Sequence, residues 1–405
     1  MYTKKIGVMG LAFNSGNKGC EAISCVFLDM LFRCIRENGI SISLYIFIQF
    51  RYRTFVKYFI DSKYRQSLVP NIKNDQISYK VVPLNDGIFS SLSRKAMDKC
   101  DVIIDFTSGD SFTDIYGEER FFSRSLFKKW AIMSSAKFIL GSQTIGPFNS
   151  PKVKETAKKI LKNSDMVFAR DKTSYDCVKE ISGIEPILST DIAFNLPYEK
   201  ELKNHNGKIK IGLNLSGLLW NGGYTKDNQF GLKVNYKEYC TNLIGYLYDD
   251  SRYEIYLIPH VFGQNSKGIY SVDDDVNLMV HLKQKYPKLN AIPIREYSAS
   301  DLKSIISEMD VMVASRMHAT VAAFSSGVAT IPFSYSRKFE GLYNSIGYEY
   351  VVSGKELTTD EAVRYSLELI DNKELLIKKS QLCMSQYVFP RIEDFYRRFE
   401  KVLLS

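Results

Sequence analysis

Short apolar runs alternate along this chain with stretches whose apolar residues recur at helical spacing. No other feature limits the fold as strongly. A strand, a covering helix and a second strand make a parallel unit, and repeats of it build α/β sheets with buried strands. Residues 5–10, 43–50 and 78–82 read as the first strands. Residues 17–36 read as a helix with Ile23, Val26, Phe27, Met30 and Cys34 on one face. Buried strands follow at 101–105, 137–141 and 165–169. Ser150 and Pro151 supply a helix N-cap and first residue, and Asp171 caps a helix over 172–181.

The stretch 195–207 is polar and turn-rich and reads as a linker. A second alternation follows, with strands at 208–215, 253–259, 311–314 and 330–333 and helices at 235–249, 299–309 and 319–325. The tail from Pro390 places Ile392, Phe395, Tyr396, Phe399, Val402 and Leu403 on one helical face. The expected architecture is two Rossmann-like doubly wound domains, 1–200 and 201–385, with a C-terminal helix over 386–405. Two such domains facing a cleft hold ligands at the carboxyl ends of their strands. Functional residues should therefore lie just after strands.

Composition narrows the partners. The 405 residues are 45% apolar and 24% charged, which fits two globular cores and not a disordered or fibrous chain. Fifty-four Lys and Arg against 45 Asp and Glu leave a charge of +9. Nucleic acid, anionic lipid headgroups or phosphorylated small molecules would each suit that balance. No RNP, KH, C₂H₂ or basic-zipper pattern is present, so no nucleic-acid partner is expected. Lysine-rich pieces such as 152–162 read as solvated helix faces. The basic start ends its apolar run at Gly10, which fits a strand better than a signal peptide. No apolar run reaches the roughly 18–20 residues of a membrane helix. Seven scattered cysteines without a CxxC pair suggest neither a disulfide framework nor a zinc site. Reduced thiols in a cytoplasmic protein without a metal are the expectation.

Chemistry concentrates after the predicted strands. The strand ending at Ser315 runs into Arg316, Met317 and His318 and then a small-residue helix. A helix N-terminus offers free N–H groups to an anion, Arg adds a bidentate fork, and His adds a proton donor near working pH. Together they make an acid–base site for an anionic substrate; the competing reading is a capped turn with a satisfied histidine. The loop from Tyr335 to Gly341 carries Lys338, which either reaches the same anion or is solvated. Arg170 ends a first-domain strand, facing a ligand or paired with Asp171 or another carboxylate. The first loop, with Asn14, Gly16, Asn17, Gly19 and Glu21, is neither GxGxxG nor a Walker loop, so it fits substrate contact better than nucleotide binding. Asp105, Asp110 and Asp114 follow a buried strand and could accept sugar hydroxyls or act as a base, although calcium-loop spacing is absent. Gln143 lies in a similar turn.

These motifs, taken in order, resemble the polysaccharide pyruvyl transferase family. The matching residues are Asn17-x-Gly19-x-Glu21-Ala22, Gly109-Asp110, Gly141-Ser-Gln143-Thr-Ile-Gly-Pro147, Ala169-Arg170-Asp171, Asp191-Ile-Ala-Phe194, Arg316-Met-His318 and Tyr335-x-x-Lys338-x-x-Gly341. They span roughly residues 6–347. Cys20 stands where many members have Asp, and Asp105-Phe-Thr-Ser-Gly109 replaces a more usual Gly-Gly.

The resemblance implies a GT-B-like fold whose C-terminal helix crosses back to the first domain. It also implies transfer of pyruvate from phosphoenolpyruvate, with no other cofactor, to a sugar as a cyclic ketal in capsule or exopolysaccharide biosynthesis. On that reading Arg316, Met317 and Lys338 of the second domain, the phosphoenolpyruvate side, and Arg170 of the first bind phosphoenolpyruvate, and His318 is the general acid. Asn14, Asn17, Glu21, Asp110, Gln143 and Tyr335 would meet the acceptor. A lipid-linked acceptor would bring the enzyme to the inner face of the membrane as a peripheral protein. A nucleotide-sugar glycosyltransferase of the same fold, or a non-catalytic protein with that fold, is the alternative.

Overall fold

The computed structural model describes residues 3–13, 15–49, 75–84, 87, 90–200, 207–263 and 272–405. Contacts divide the chain into two compact units. The first comprises Met1–Asn14, Ile23–Ile192 and Pro390–Ser405; the second comprises Ser15–Ala22 and Ala193–Phe389. The division therefore falls at 192/193, earlier than the expected 200/201, and the segment around Asn17 and Glu21 joins the second unit. Asn14, Phe50 and 201–206 of the expected linker lie outside the described residues.

The first unit contains β1 (Thr3–Met9), most of α1 (Lys18–Asn38), β2 (Ser41–Gln49), β3 (Ile77–Leu84), α2 (Ser90–Met97) and β4 (Val102–Asp105). It continues with α3 (Glu118–Met133), β5 (Lys137–Gln143), α4 (Pro151–Lys162), β6 (Met166–Ala169), α5 (Lys172–Ser182) and β7 (Ile187–Leu188). Its sheet runs β3-β2-β1-β4-β5-β6-β7, parallel throughout. Ile6, Val8, Ile103, Ile104, Ile139 and Leu140 are fully buried in it, as expected of strands covered on both faces. Ser150 accepts the Val153 N–H ahead of Pro151, and Asp171 accepts the Ser174 N–H, so both predicted caps are made. Helix α3 is not evident from apolar spacing, because its buried face includes Ser125 and Lys128.

The second unit repeats the plan. It holds β8 (Ile209–Asn214), α6 (Gly217–Trp220), α7 (Tyr236–Tyr248), β9 (Tyr253–Leu257), α8 (Asp275–Lys285), β10 (Asn290–Ala291), α9 (Ala299–Ser307) and β11 (Val311–Ala314). Then come α10 (Met317–Ser325), β12 (Ala329–Ser334), α11 (Arg337–Ser345), β13 (Val352–Ser353), α12 (Thr359–Asp371) and α13 (Lys373–Cys383). The sheet order is β10-β9-β8-β11-β12-β13. Both sheets follow the Rossmann pattern, in which the order reverses beside the first strand and ligands gather at that switch point. The reversal lies between β1 and β4 in one unit and between β8 and β11 in the other.

The chain ends in α14 (Phe389–Leu404), from which Pro390 onward belongs to the first unit. A π-helical turn, Met384–Val388, precedes it. Pro390 has no N–H to give the helical ladder, and the wider turn falls just before it. Phe395 and Phe399 are fully buried, with Phe395 at 4.7 Å from Phe168 and Phe399 at 5.6 Å from Phe27, ring centre to ring centre. A charged network ties the same helix to α1. Arg33 forks onto Glu393 at 2.6 and 2.8 Å, and Arg397 reaches Glu37 at 2.8 Å. The Arg33 hydrogen bond, aided by Arg397 and Tyr396 against the effect of burial, holds Glu37 down at about 2 from an ordinary 4.5. Glu393 is lowered for the same reason, chiefly by Arg33. A carboxyl whose pKa is depressed on folding stabilises only while ionised. The network should thus be fully effective above about pH 4.5 and fade as pH falls toward about 2. Amide hydrogen exchange should show α14 losing protection over that interval before β4 and β5 do. Equal protection at pH 6 and pH 3 (roughly the two sides of that carboxyl range) would remove the network from the account of α14. Among the described residues, no helix is long and apolar enough to cross a membrane.

Candidate active site

The switch point of the second unit is built on Asn214, the last residue of β8. Its Oδ1 accepts the Arg316 N–H at 2.9 Å, and its Nδ2 donates to the Ile258 carbonyl at 3.0 Å. One buried amide thus links the ends of β8, β9 and β11. Beside it the Tyr236 hydroxyl donates to Ser315 Oγ at 2.7 Å and accepts the Ser216 N–H at 2.9 Å. Arg316 leaves this frame with extended backbone as the N-cap residue of α10, and no side chain caps that helix. Ser336 likewise leaves α11 without a side-chain cap. The capping side chains of α6, α7, α8, α9 and α12 are by contrast all engaged. Strands β11 and β12 are parallel neighbours, so two uncapped helix N-termini follow adjacent strands. Such ends present N–H groups and partial positive charge to an anion.

The guanidinium of Arg316 is buried and doubly paired. Asp275, at the start of α8, accepts from Nη2 at 2.6 Å and from Nε at 3.1 Å. Asp273 accepts from Nη1 at 2.6 Å, and its carbonyl accepts from Nη2 at 2.7 Å. Burial works against the charge, and the two carboxylates more than offset it, so the pKa of Arg316 rises. Asp275 also accepts the N–H groups of Gly217 at 3.0 Å, His260 at 3.1 Å and Val261 at 3.0 Å. His260 is buried nearby. Burial first, and then the charges of His318, Arg316 and Lys18, push it down to about 3, so it is neutral at physiological pH.

His318 occupies the first turn of α10. Its ring lies against Gly19 so closely that a Cβ there would fall 2.0 Å from Nδ1. The segment bearing Gly19 is held to the end of the β9 region: the Phe262 N–H donates to the Gly16 carbonyl at 2.9 Å, and Asn17 bridges Val261. Asn17 Oδ1 accepts the Gly19 N–H at 3.1 Å. Both Glu21 oxygens are engaged, one by Lys18 Nζ at 2.7 Å and one by the Ala299 N–H at 2.9 Å. Met317 is buried, and Tyr335 is buried against Phe230 and Phe339. Lys338 lies in the first turn of α11, where a loop was expected.

In the first unit Arg170 is fully buried at the end of β6. Its Nη1 meets Asp191 Oδ2 at 2.9 Å, and Nη2 donates to Thr144. Its partner carboxylate is therefore Asp191, not the neighbouring Asp171, which caps α5. Gln143 Nε2 donates to the Asp105 carbonyl at 2.7 Å. Gln143 Oε1 and Arg170 Nε are buried without a hydrogen-bond partner among the described residues. Asp105 is committed to structure: it accepts from Thr107 N–H at 2.8 Å and pairs with Lys128 at 2.7 Å, both deep in the unit. Asp114 anchors the Asn149 N–H at 2.6 Å, and Asp110 accepts from the Tyr116 hydroxyl at 3.0 Å. The sequence reading missed Asp273, Asp275 and His260. The run Asp273-Asp274-Asp275, in a chain that buries an arginine, was the available signal.

Two Rossmann-like units with these strand orders make this a GT-B-like α/β protein. Solved structures of similar fold include the UDP-GlcNAc 2-epimerase of Neisseria meningitidis bound to UDP-GlcNAc, at 11% identity and TM-score 0.55 over 100% of both chains. Another is an α,α-trehalose-phosphate synthase (UDP-forming) of Burkholderia vietnamiensis, at 8% identity and TM-score 0.53 over 98% of this chain and 99% of that one. No curated protein matches the chain by sequence. The family model for polysaccharide pyruvyl transferase matches residues 17–337, and the chain belongs to that family.

Proposed function

We propose that the protein transfers pyruvate from phosphoenolpyruvate to two hydroxyls of a sugar in a polysaccharide precursor, forming a cyclic ketal. The observation that carries this reading is the grouping of Arg316, the uncapped N-terminus of α10 and His318 at the β8/β11 switch point. Arg316, Lys338 and the helix terminus take the donor's carboxylate and phosphate, and Arg170 is a further proposed donor-binding residue. His318 gives a proton to the methylene carbon of the enol, leaving an oxocarbenium-like carbon. One sugar hydroxyl adds to that carbon and its proton returns to His318. The second hydroxyl then displaces phosphate, its proton leaving with that group, and the ketal closes. Asn14, Asn17, Glu21, Asp110, Gln143 and Tyr335 are the proposed acceptor set. Glu21 acts in it by fixing its own turn, since both its oxygens are engaged. The acceptor is proposed to be lipid-linked, handled by a cytoplasmic enzyme at the inner membrane face.

Phosphoenolpyruvate should raise the melting temperature, and UDP-sugars should not. Mass spectrometry of candidate lipid-linked oligosaccharides incubated with enzyme and phosphoenolpyruvate should show a pyruvate adduct with release of phosphate. Stabilisation by a UDP-sugar alone would favour a glycosyltransferase. Stabilisation by phosphoenolpyruvate with no adduct on any acceptor would favour a binder that has lost the chemistry.

A further inference from the structure

Two carboxylates share the guanidinium of Arg316, and their surroundings differ sharply. Asp275 is wholly buried and accepts three backbone N–H groups besides Arg316, so it belongs to the frame of the unit. The Asp273 side chain is 26% exposed. Besides Arg316, its carboxylate accepts, among the described residues, only from the hydroxyl of Tyr224, at 3.3 Å, and Tyr224 is itself exposed. One positive and two negative charges give this trio a net charge of −1. A phosphate or carboxylate arriving beside it would meet net repulsion, although α10 presents its uncapped end at the same place. Removing Asp273 from the fork resolves the conflict. Nη1 becomes available to an incoming oxyanion, while Asp275 keeps Nε and Nη2 and so holds the guanidinium where it is.

We propose that Asp273 is a displaceable counter-ion, holding on Arg316 Nη1 the place that the donor's anionic group takes on binding. The proposal rests on the reading that the donor anion binds at Arg316. Asp275 is the positioning residue of the same fork. The two carboxylates should therefore respond to neutralisation with opposite signs.

The test is isothermal titration of phosphoenolpyruvate and of inorganic phosphate into the full-length wild-type protein, Asp273→Asn, Asp273→Ser and Asp275→Asn, each with its melting temperature. Loss of one like charge beside the bound anion should tighten phosphoenolpyruvate binding on the order of tenfold in both Asp273 variants. Asp275→Asn should weaken it and lower the melting temperature. Unchanged or weaker binding in the Asp273 variants overturns the proposal. Tighter phosphate binding in those variants, with no phosphoenolpyruvate binding to any protein, upholds the counter-ion and overturns the donor assignment. No binding of either anion to any of the proteins overturns both.

Discussion

Replacing His318 with Ala should lower turnover about 10²–10⁴-fold, the usual consequence of losing a positioned general acid. The donor affinity should change little, because Arg316 and the end of α10 are untouched. The assay is phosphate release together with mass detection of the pyruvylated acceptor, alongside titration of phosphoenolpyruvate. Turnover at the wild-type rate would sink the assignment of His318. Arg316→Ala should show the opposite split, with donor binding lost first. The structure adds a condition to that second variant. Asp275 is fully buried and leans on Arg316, so deleting the guanidinium leaves an uncompensated charge, which typically costs about 3–5 kcal/mol. A fall in activity for Arg316→Ala therefore counts only beside a measured melting temperature, whereas His318→Ala carries no such penalty.

Much of the frame was legible because buried parallel strands are written as continuous apolar runs. The strands at 101–105, 137–141 and 311–314 fall within a residue or two of β4, β5 and β11. Ser150-Pro151 and Asp171 announced their helices because capping chemistry is local. What stayed hidden was tertiary. The partner of Arg316 lies 41 residues earlier, at the start of α8, and no spacing rule connects the two. Arg170 was read with two open roles, and the structure places it against Asp191, 21 residues on. Helix α8 was missed although Asp274 caps it, because three successive aspartates look like a turn. The loop reading of 335–341 failed in the same way: Arg337 and Lys338 open α11, and Ser336 offers no cap that would have marked it. Glycine and polar residues at 14–21 suggested a ligand loop, while in the fold Asn17 and Glu21 spend much of their bonding on Gly19, Lys18 and Ala299.

Gly19→Ala should cut turnover on the order of 10²-fold, and its melting temperature is measured beside the rate. Glycine is not needed here for its backbone, since Gly19 is absent from the positive-φ residues. Alanine is the better helix former, by up to about 1 kcal/mol in a helix interior, and Gly19 sits in the first turn of α1. The obstacle is the imidazole of His318: a Cβ would lie 2.0 Å from Nδ1, 2.4 Å from Cγ and 2.8 Å from Cε1. The first turn of α1 is anchored through the Gly16 carbonyl and Asn17, so the histidine ring is the part that yields. A proton donor displaced by about an ångström loses its reach to the reacting carbon, although it is still present. The effect should thus appear in kcat, with phosphoenolpyruvate affinity near wild type. Gly245→Ala is the control. It lies inside α7 with nothing within 4 Å of an added Cβ, so it should gain the same helical preference at no cost in turnover. If Gly19→Ala matches Gly245→Ala in rate, the imidazole does not depend on that contact, and the orientation of His318 must come from the substrate.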